Sequence, residues 1–193
     1  MFKWLPVLAA LCVAGCFNEP EPAYKTVPAG ARVYLQDKGL SVAPEFDAKV
    51  VDYINLDRNS LTNIDSVAKV AGLKWLRLNG NRLSSLPDLK SLVRLRRIYL
   101  GNNRFASVPE TLKDLPQLTD IDLSGNPLSE VPAWLAAKTG LKNLSFSATR
   151  ITRLPDDLSA WKSLQSLQLG DLSLSAQEMK RIRSQLPDVA IVF

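Results

Sequence analysis

Leu73-Lys-Trp-Leu-Arg-Leu-Asn-Gly-Asn-Arg-Leu83 is the stretch that decides the fold, because two closely similar stretches follow it. They read Leu95-Arg-Arg-Ile-Tyr-Leu-Gly-Asn-Asn-Arg-Phe105 and Leu118-Thr-Asp-Ile-Asp-Leu-Ser-Gly-Asn-Pro-Leu128. Corresponding units begin 21 to 23 residues apart, at Gly30, Val51, Leu73, Leu95, Leu118, Leu141, Leu164 and Leu186. A period of this length is typical of a solenoid, in which each coil packs only against its neighbours.

The pattern within each unit predicts a short strand. Apolar residues at the first, fourth and sixth positions would point inward, and the positions between them would point outward. An asparagine at the ninth position can bond backbone groups at the following turn through both its amide donor and its carbonyl. Four units keep this asparagine, at Asn59, Asn81, Asn103 and Asn126.

The pattern resembles the leucine-rich repeat family, LxxLxLxxNxL, over residues 30–193. The resemblance implies an α/β repeat solenoid, a horseshoe with a parallel concave sheet and short helices or turns on the convex side. It also implies about seven units followed by a C-terminal helix–strand cap. Proline after an apolar residue suits the first turn of a short returning helix. The returning side is expected at 88–94, 110–115, 133–138 and 156–161, with Trp134 and Trp161 packed there.

The cap is predicted from the residues that end the chain. Ser175-Ala-Gln-Glu178 has the capping-box pattern of a helix N-terminus. Met179, Ile182 and Leu186 continue at helical spacing, and a closing strand is expected to follow. The last units also lose the asparagine, since Thr149 and Leu172 stand in its place.

The first 29 residues predict export and a tether. A charged start at Lys3, an apolar run too short to span a bilayer and a small-residue site are typical of a secretory signal over residues 1–15. The end of this segment, Val13-Ala14-Gly15-Cys16, resembles the lipobox of bacterial lipoproteins. The resemblance implies that Cys16 is lipidated and that residues 16–29 form a proline-rich tether to the membrane. An ordinary cleaved signal is the alternative interpretation.

The lipoprotein resemblance also bears on location. It places the protein in the bacterial cell envelope, held on a membrane by lipid. Because Phe17 rather than aspartate follows the cysteine, it favours the outer membrane over the inner membrane.

Composition narrows the possible chemistry. The chain has no histidine, and its two cysteines both lie in the first 16 residues. A disulfide, a cysteine metal site and hydrolysis by a Ser-His-Asp or thiol mechanism are therefore not expected in the folded part. A net charge of +5 is only mildly basic and does not indicate a nucleic-acid partner. We expect no enzyme activity, no cofactor and no metal.

The outward strand positions give the candidate binding residues. The third positions are Arg32, Tyr53, Trp75, Arg97, Asp120, Asn143 and Ser166, and the fifth positions are Tyr34, Asn55, Arg77, Tyr99, Asp122, Ser145 and Gln168. In a parallel sheet they would form one surface. Tyrosine, tryptophan and arginine are the residue types that dominate binding energy at protein interfaces. The predicted ligand-binding residues are Tyr53, Trp75, Arg77, Arg97, Tyr99, Asp120 and Asp122.

Alternatives remain at this point. Aromatic and arginine side chains also stabilise exposed sheet faces by packing across strands, and Arg97 could cover Trp75 without any partner. Asp120 and Asp122 could hold a cation, but no third ligand is evident, and balancing Arg97 is the favoured role. The expected partner is an envelope or extracellular protein. A polysaccharide such as peptidoglycan, recognised by the same surface, is the alternative.

Overall fold

A computed structural model describes residues 31–193, and the strands in this range form one parallel sheet. The expected signal peptide, Cys16, the tether and Gly30 lie outside the described residues. The eight strands are β1 (Ala31–Tyr34), β2 (Val51–Asn55), β3 (Trp75–Arg77), β4 (Arg97–Tyr99), β5 (Asp120–Asp122), β6 (Asn143–Ser145), β7 (Ser166–Gln168) and β8 (Ala190–Val192). They are hydrogen-bonded in chain order, as stacked repeats require. The solenoid with a parallel sheet is confirmed.

The core lies between the sheet and the returning segments. Leu73, Leu76 and Leu78, at the first, fourth and sixth positions of one unit, are each 0% exposed. The equivalent positions of the other central units are buried in the same way and join one continuous apolar cluster. The predicted inward positions are therefore confirmed, and the side chains between them are left on the outer face of the sheet.

A ladder of buried asparagines joins consecutive coils. The Oδ1 atom of Asn81 accepts the N–H of Leu61 at 3.0 Å, and its Nδ2 donates to the carbonyls of Leu56 and Leu78 at 3.0 Å each. Asn59, Asn103 and Asn126 make the corresponding bonds in their units. Each side chain thus satisfies backbone groups of two coils that would otherwise be buried without partners.

The residue immediately before the ladder position has a left-handed backbone in seven successive units. Its φ is 53–66° in each, at Asp37, Arg58, Gly80, Asn102, Gly125, Ala148 and Asp171. Glycine and asparagine adopt this conformation readily, whereas other residues do so at a cost in free energy. The turn therefore has the same backbone geometry in these seven units, although the residue type at this position varies.

The returning segments are more varied than expected. Three short 3₁₀ helices, at Val67–Lys69, Glu110–Leu112 and Ser159–Ser163, accompany a one-turn α-helix, α1, at Ala133–Ala136. Residues 88–94 form turns and no helix, which agrees with a returning side of short helices or turns. The Asp88 carboxylate accepts the N–H of Lys90 at 3.0 Å, a local bond that competes with helix formation.

Trp161 confirms the expected packing of the returning side. It is fully buried, and its indole N–H donates to the Leu135 carbonyl at 3.0 Å. Trp134 is half-buried and packs against the same core.

The last described elements are α2 (Ala176–Gln185) and β8, a helix and a strand in the order that the sequence predicted for the cap. Ser175 caps the helix as expected, with its Oγ accepting the Glu178 N–H at 3.1 Å. The carboxylate of Glu178, however, does not return to the helix start as a capping box would require. It accepts the Leu154 N–H at 2.9 Å and hydrogen bonds from Arg181 instead.

The longest helix of residues 31–193 is α2, with 10 residues. In this part of the chain no helix has the length and apolar character needed to cross a bilayer.

Candidate functional site

The register of the sheet brings all seven predicted ligand-binding residues onto one face, on the adjacent strands β2 to β5. Tyr53 pairs with Trp75, Trp75 with Arg97, and Arg97 with Asp120 along the third positions. The fifth positions align in the same way, so that Arg77, Tyr99 and Asp122 follow one another. Neighbouring strands in a sheet lie about 4.8 Å apart, so these side chains touch in series.

Three aromatic rings form a continuous row at the N-terminal end of this face. The ring centroids of Tyr34 and Tyr53 are 5.3 Å apart, and those of Tyr53 and Trp75 are 5.8 Å apart, both in tilted arrangements. Tyr34 is 53% exposed, whereas Tyr53 and Trp75 are half-buried. Burial raises the pKa of the Tyr53 hydroxyl above its usual range.

Arg97 covers Trp75, which is one of the two alternatives that the sequence left open. Its Cζ lies 4.2 Å from the centroid of the indole ring, within the range of a cation–π interaction. Its Nε lies 3.7 Å from Oδ2 of Asp120, which confirms that Asp120 balances this charge. The guanidinium is therefore held between a ring and a carboxylate.

Arg77 is held in a similar way by a residue that the sequence analysis did not single out. Its Nε donates to Oδ2 of Asp57 at 2.7 Å, and its Cζ lies 5.1 Å from the centroid of the Tyr99 ring. Burial by itself lowers the pKa of Arg77, but the bond to Asp57 outweighs this effect and leaves the pKa raised. We call Tyr34, Tyr53, Trp75, Arg77, Arg97 and Tyr99 the aromatic–arginine surface.

The contact of Asp57 with Arg77 was not predicted because of where Asp57 lies in its unit. It is buried, and its Oδ1 also accepts the N–H of Asn79 at 2.7 Å in the next coil. It stands at the seventh position of its unit, just beyond the strand, where the strand alternation no longer says which way a side chain points. An acidic residue there, two positions after the strand position that pairs with Arg77, could have indicated the contact.

Asp120 and Asp122 lie on the same face but have different environments. Asp120 is buried, and it accepts hydrogen bonds from Asn143 Nδ2 at 2.7 Å and Thr119 Oγ1 at 2.5 Å. Asp122 is half-buried and accepts only the Ser124 N–H, at 2.9 Å, from the described residues. The two carboxylates thus do not act as a pair, and residues 31–193 contain no group of three or more acidic, histidine or cysteine side chains placed to hold a metal.

A shallow depression of about 500 Å³ lies beside the aromatic–arginine surface on the same face. We call it the polar depression. Its side-chain lining is Tyr99, Asp120, Asp122, Ser124, Asn143, Ser145, Ser147, Ser166 and Gln168, together with parts of Ile121 and Leu144. The sheet face is therefore divided into an aromatic, cationic half and a half of small polar residues.

Comparison with known protein families agrees with the fold. Residues 71–128 match the model of the family described as Leucine rich repeat. The matched segment contains β3, β4 and β5, and the same coil architecture continues on both sides of it. No curated protein matches the chain significantly. Residues 71–128 are thus similar to leucine-rich repeats, and such repeats generally form non-enzymatic scaffolds for protein interaction.

Proposed function

We propose that this protein is a lipid-anchored component of the bacterial cell envelope that binds a partner protein through the aromatic–arginine surface. The observation that carries the proposal is the series of fixed contacts among its rings and guanidinium groups. Tyrosine, tryptophan and arginine supply most binding hot spots at protein interfaces. Side chains already held in place lose less conformational entropy when a partner docks.

The charges of this surface support the same function. Arg77 and Arg97 each contact a carboxylate on one side and a ring on the other, so their planar groups have a defined orientation. Neither depends on a bound anion for its position. A protein surface can be recognised by such a combination of apolar rings and oriented donors.

Crosslinking in the native envelope tests this proposal. A photo-reactive amino acid at position 53 or 99 should give a protein adduct that mass spectrometry identifies. The same probe at Ala137, which is exposed on the returning side, is the matched control. Trp75→Ala should reduce the yield from position 53. Adducts of equal yield and identity from position 137 would contradict binding by the sheet face.

A polysaccharide such as peptidoglycan is the second candidate. The exposed ring of Tyr34, which lies next to the ring of Tyr53, is the observation that favours it, because flat rings can pack against sugar rings. Protease treatment of the envelope distinguishes the two candidates. Retention on the treated envelope that is lost in Trp75→Ala would support the glycan and contradict the protein partner.

The membrane anchor is proposed from the lipobox resemblance at Cys16, and the outer membrane from Phe17. Several acyl chains give lasting attachment, whereas a single chain gives only weak binding. Cys16→Ser should therefore leave the precursor unprocessed or release the protein from the membrane fraction. Unchanged processing and unchanged membrane partition would contradict the anchor. Separation of inner and outer membranes then tests the location.

A further inference from the structure

We propose that the polar depression receives a lysine or arginine side chain of the partner protein, with Asp122 as its counter-charge. This inference rests on the proposed function and adds the chemistry by which the C-terminal half of the sheet face selects its partner.

The first step concerns charge. Of the two aspartates in the polar depression, Asp120 is already bonded to Asn143 and Thr119 and faces Arg97. Asp122 forms no ion pair with any residue of 31–193, and no donor in this range reaches its Oδ2. The depression therefore presents one carboxylate that the described part of the chain leaves unbalanced.

The second step concerns the cations nearby. Arg77 and Arg97 are the arginines closest along the sheet, and each is held by another carboxylate, Asp57 or Asp120. On the C-terminal side of Asp122, the third and fifth positions of the described strands hold no lysine or arginine. Those positions are Asn143, Ser145, Ser166, Gln168, Ala190 and Val192. Any cation that balances Asp122 on this side must therefore come from outside the described residues.

The third step concerns hydrogen bonding. Two amides line the polar depression, and each uses one N–H of its NH₂ group in a bond to a neighbouring side chain of the protein. Asn143 Nδ2 donates to Asp120 at 2.7 Å, and Gln168 Nε2 donates to Ser166 Oγ at 2.7 Å. Their carbonyl oxygens are left as acceptors, beside the Asp122 carboxylate and the serine hydroxyls, which can accept as well.

These features match a basic side chain. Ammonium and guanidinium groups carry only donors and a positive charge, so each can bond several acceptors at once. A carboxylate, sulfate or phosphate would face Asp122 without an available cation. Tyr99 closes one side of the polar depression and offers an apolar edge to the aliphatic part of the side chain.

The test is an NMR titration of the ¹⁵N-labelled protein with N-acetyl-arginine amide and N-acetyl-lysine amide. At least one should shift the amide signals of Asp122, Ser145 and Ser147. N-acetyl-citrulline amide has nearly the shape of the arginine probe without its charge and should bind about tenfold more weakly. Asp122→Asn should weaken binding of the charged probe by a similar factor. Asp114→Asn, at an exposed carboxylate on the returning side, is the matched control and should change nothing.

Other outcomes overturn the inference. It fails if citrulline binds as well as arginine, if Asp122→Asn binds as the parent does, or if methyl glucoside shifts these signals while both basic probes do not. A protein adduct from position 53 with no response to the basic probes would contradict this inference alone. A response to the basic probes without any protein adduct would contradict the proposed partner instead.

Discussion

At the scale of single residues, the same turn is built from residues with very different conformational preferences. Seven consecutive units need a left-handed backbone before the ladder position, yet only Gly80 and Gly125 are glycines there. Ala148 adopts φ 55° without a side chain that could bond locally in compensation. The cost of this conformation for an L-residue is about 1–2 kcal/mol.

Ala148→Gly should therefore stabilise the protein. The removed strain exceeds the entropy that glycine gains in the unfolded chain, which leaves a net gain of about 0.5–1 kcal/mol in the free energy of unfolding. Urea denaturation followed by circular dichroism measures it. Gly80→Ala is the reciprocal control. An added Cβ there would lie 3.4 Å from Arg58 Cγ, an ordinary contact, so a loss of similar size would reflect the backbone alone. Destabilisation by Ala148→Gly would contradict the argument.

Thr149 is the point where the asparagine ladder ends. It is buried, and its Oγ1 has no hydrogen-bond partner among residues 31–193. In the preceding coil, Asn126 accepts the N–H of Phe105 at 3.1 Å and donates to the Leu123 carbonyl at 3.0 Å. Asn126 Nδ2 also donates to the Leu100 carbonyl at 2.9 Å, and a threonine hydroxyl is shorter and has a single donor, so it cannot replace all of these bonds.

Thr149→Asn should restore the ladder in this coil and stabilise the protein by about 1–2 kcal/mol, because buried groups gain partners. Thermal and urea unfolding of the variant measure the effect. Asn103→Thr, which makes the reverse change inside the intact ladder, should destabilise by at least as much. If both variants unfold like the parent, the ladder contributes little to stability.

At this scale the sequence predicted some contacts and missed others. Arg97 over Trp75 follows from the repeat, because equal positions in neighbouring units become neighbours in the sheet. The contact of Asp57 with Arg77 was missed, since Asp57 lies beyond the end of its strand. The direction of a side chain is predictable within a strand, where side chains alternate between the two faces, but not beyond its end.

At the scale of elements, the C-terminal helix is held on the preceding coil by hydrogen bonds that Glu178, Arg181 and Gln185 make. Arg181 donates to the carbonyls of Leu154, Pro155 and Asp156 and binds the Glu178 carboxylate at 2.7 Å. The hydrogen bonds from Arg181 hold the pKa of Glu178 below its usual range, against the opposing effect of burial. The capping-box pattern correctly located the start of the helix. The contact of Arg181 with the preceding coil was not predictable, because its partners lie 25 to 27 residues earlier in the sequence.

Stability should therefore depend on pH through Glu178. A lowered pKa in the folded state means that this contribution is full above the unfolded pKa, near 4.3, and is lost as pH falls through the folded value. Glu178→Gln should cost about 1–3 kcal/mol at pH 7 and progressively less in acid. Urea unfolding of parent and variant from pH 7 to 3 measures this.

Glu130→Gln is the matched control, because Glu130 is exposed and the substitution removes the same charge. It should leave the free energy of unfolding nearly unchanged at pH 7. A penalty for Glu178→Gln that stays constant down to pH 3 would show that shape, and not ionisation, is responsible.

At the scale of the whole molecule, the solenoid is predictable because one period governs strands, core and register together. The hydrogen bonding within the polar depression is not predictable in this way, since it depends on which way two amides direct their NH₂ groups. In the same architecture the last coil is critical for stability, because the last coil buries the apolar side chains of the coil before it. Ile182, fully buried on α2, contributes to that closure.

Ile182→Asp should detach α2 and expose the apolar end of the solenoid. We expect a loss of more than about 3 kcal/mol and a concentration-dependent increase in apparent mass, because exposed strand edges associate. Urea unfolding and light scattering measure the two effects. Lys180→Asp, on the exposed side of the same helix, should show neither. An unfolding curve and apparent mass like those of the parent would mean that α2 is dispensable.

The one-to-one pairing of strands along the sheet has a consequence for how such a chain can change over generations. Duplicating the unit that contains β4 would insert a single rung before β5, and the copies of Arg97 and Tyr99 would lie beside Asp120 and the polar depression in place of the originals. The aromatic–arginine surface and the polar depression would then move apart by about 4.8 Å, the spacing of one strand. Recombination within the gene could thus alter the distance between two contact points without redesigning either of them.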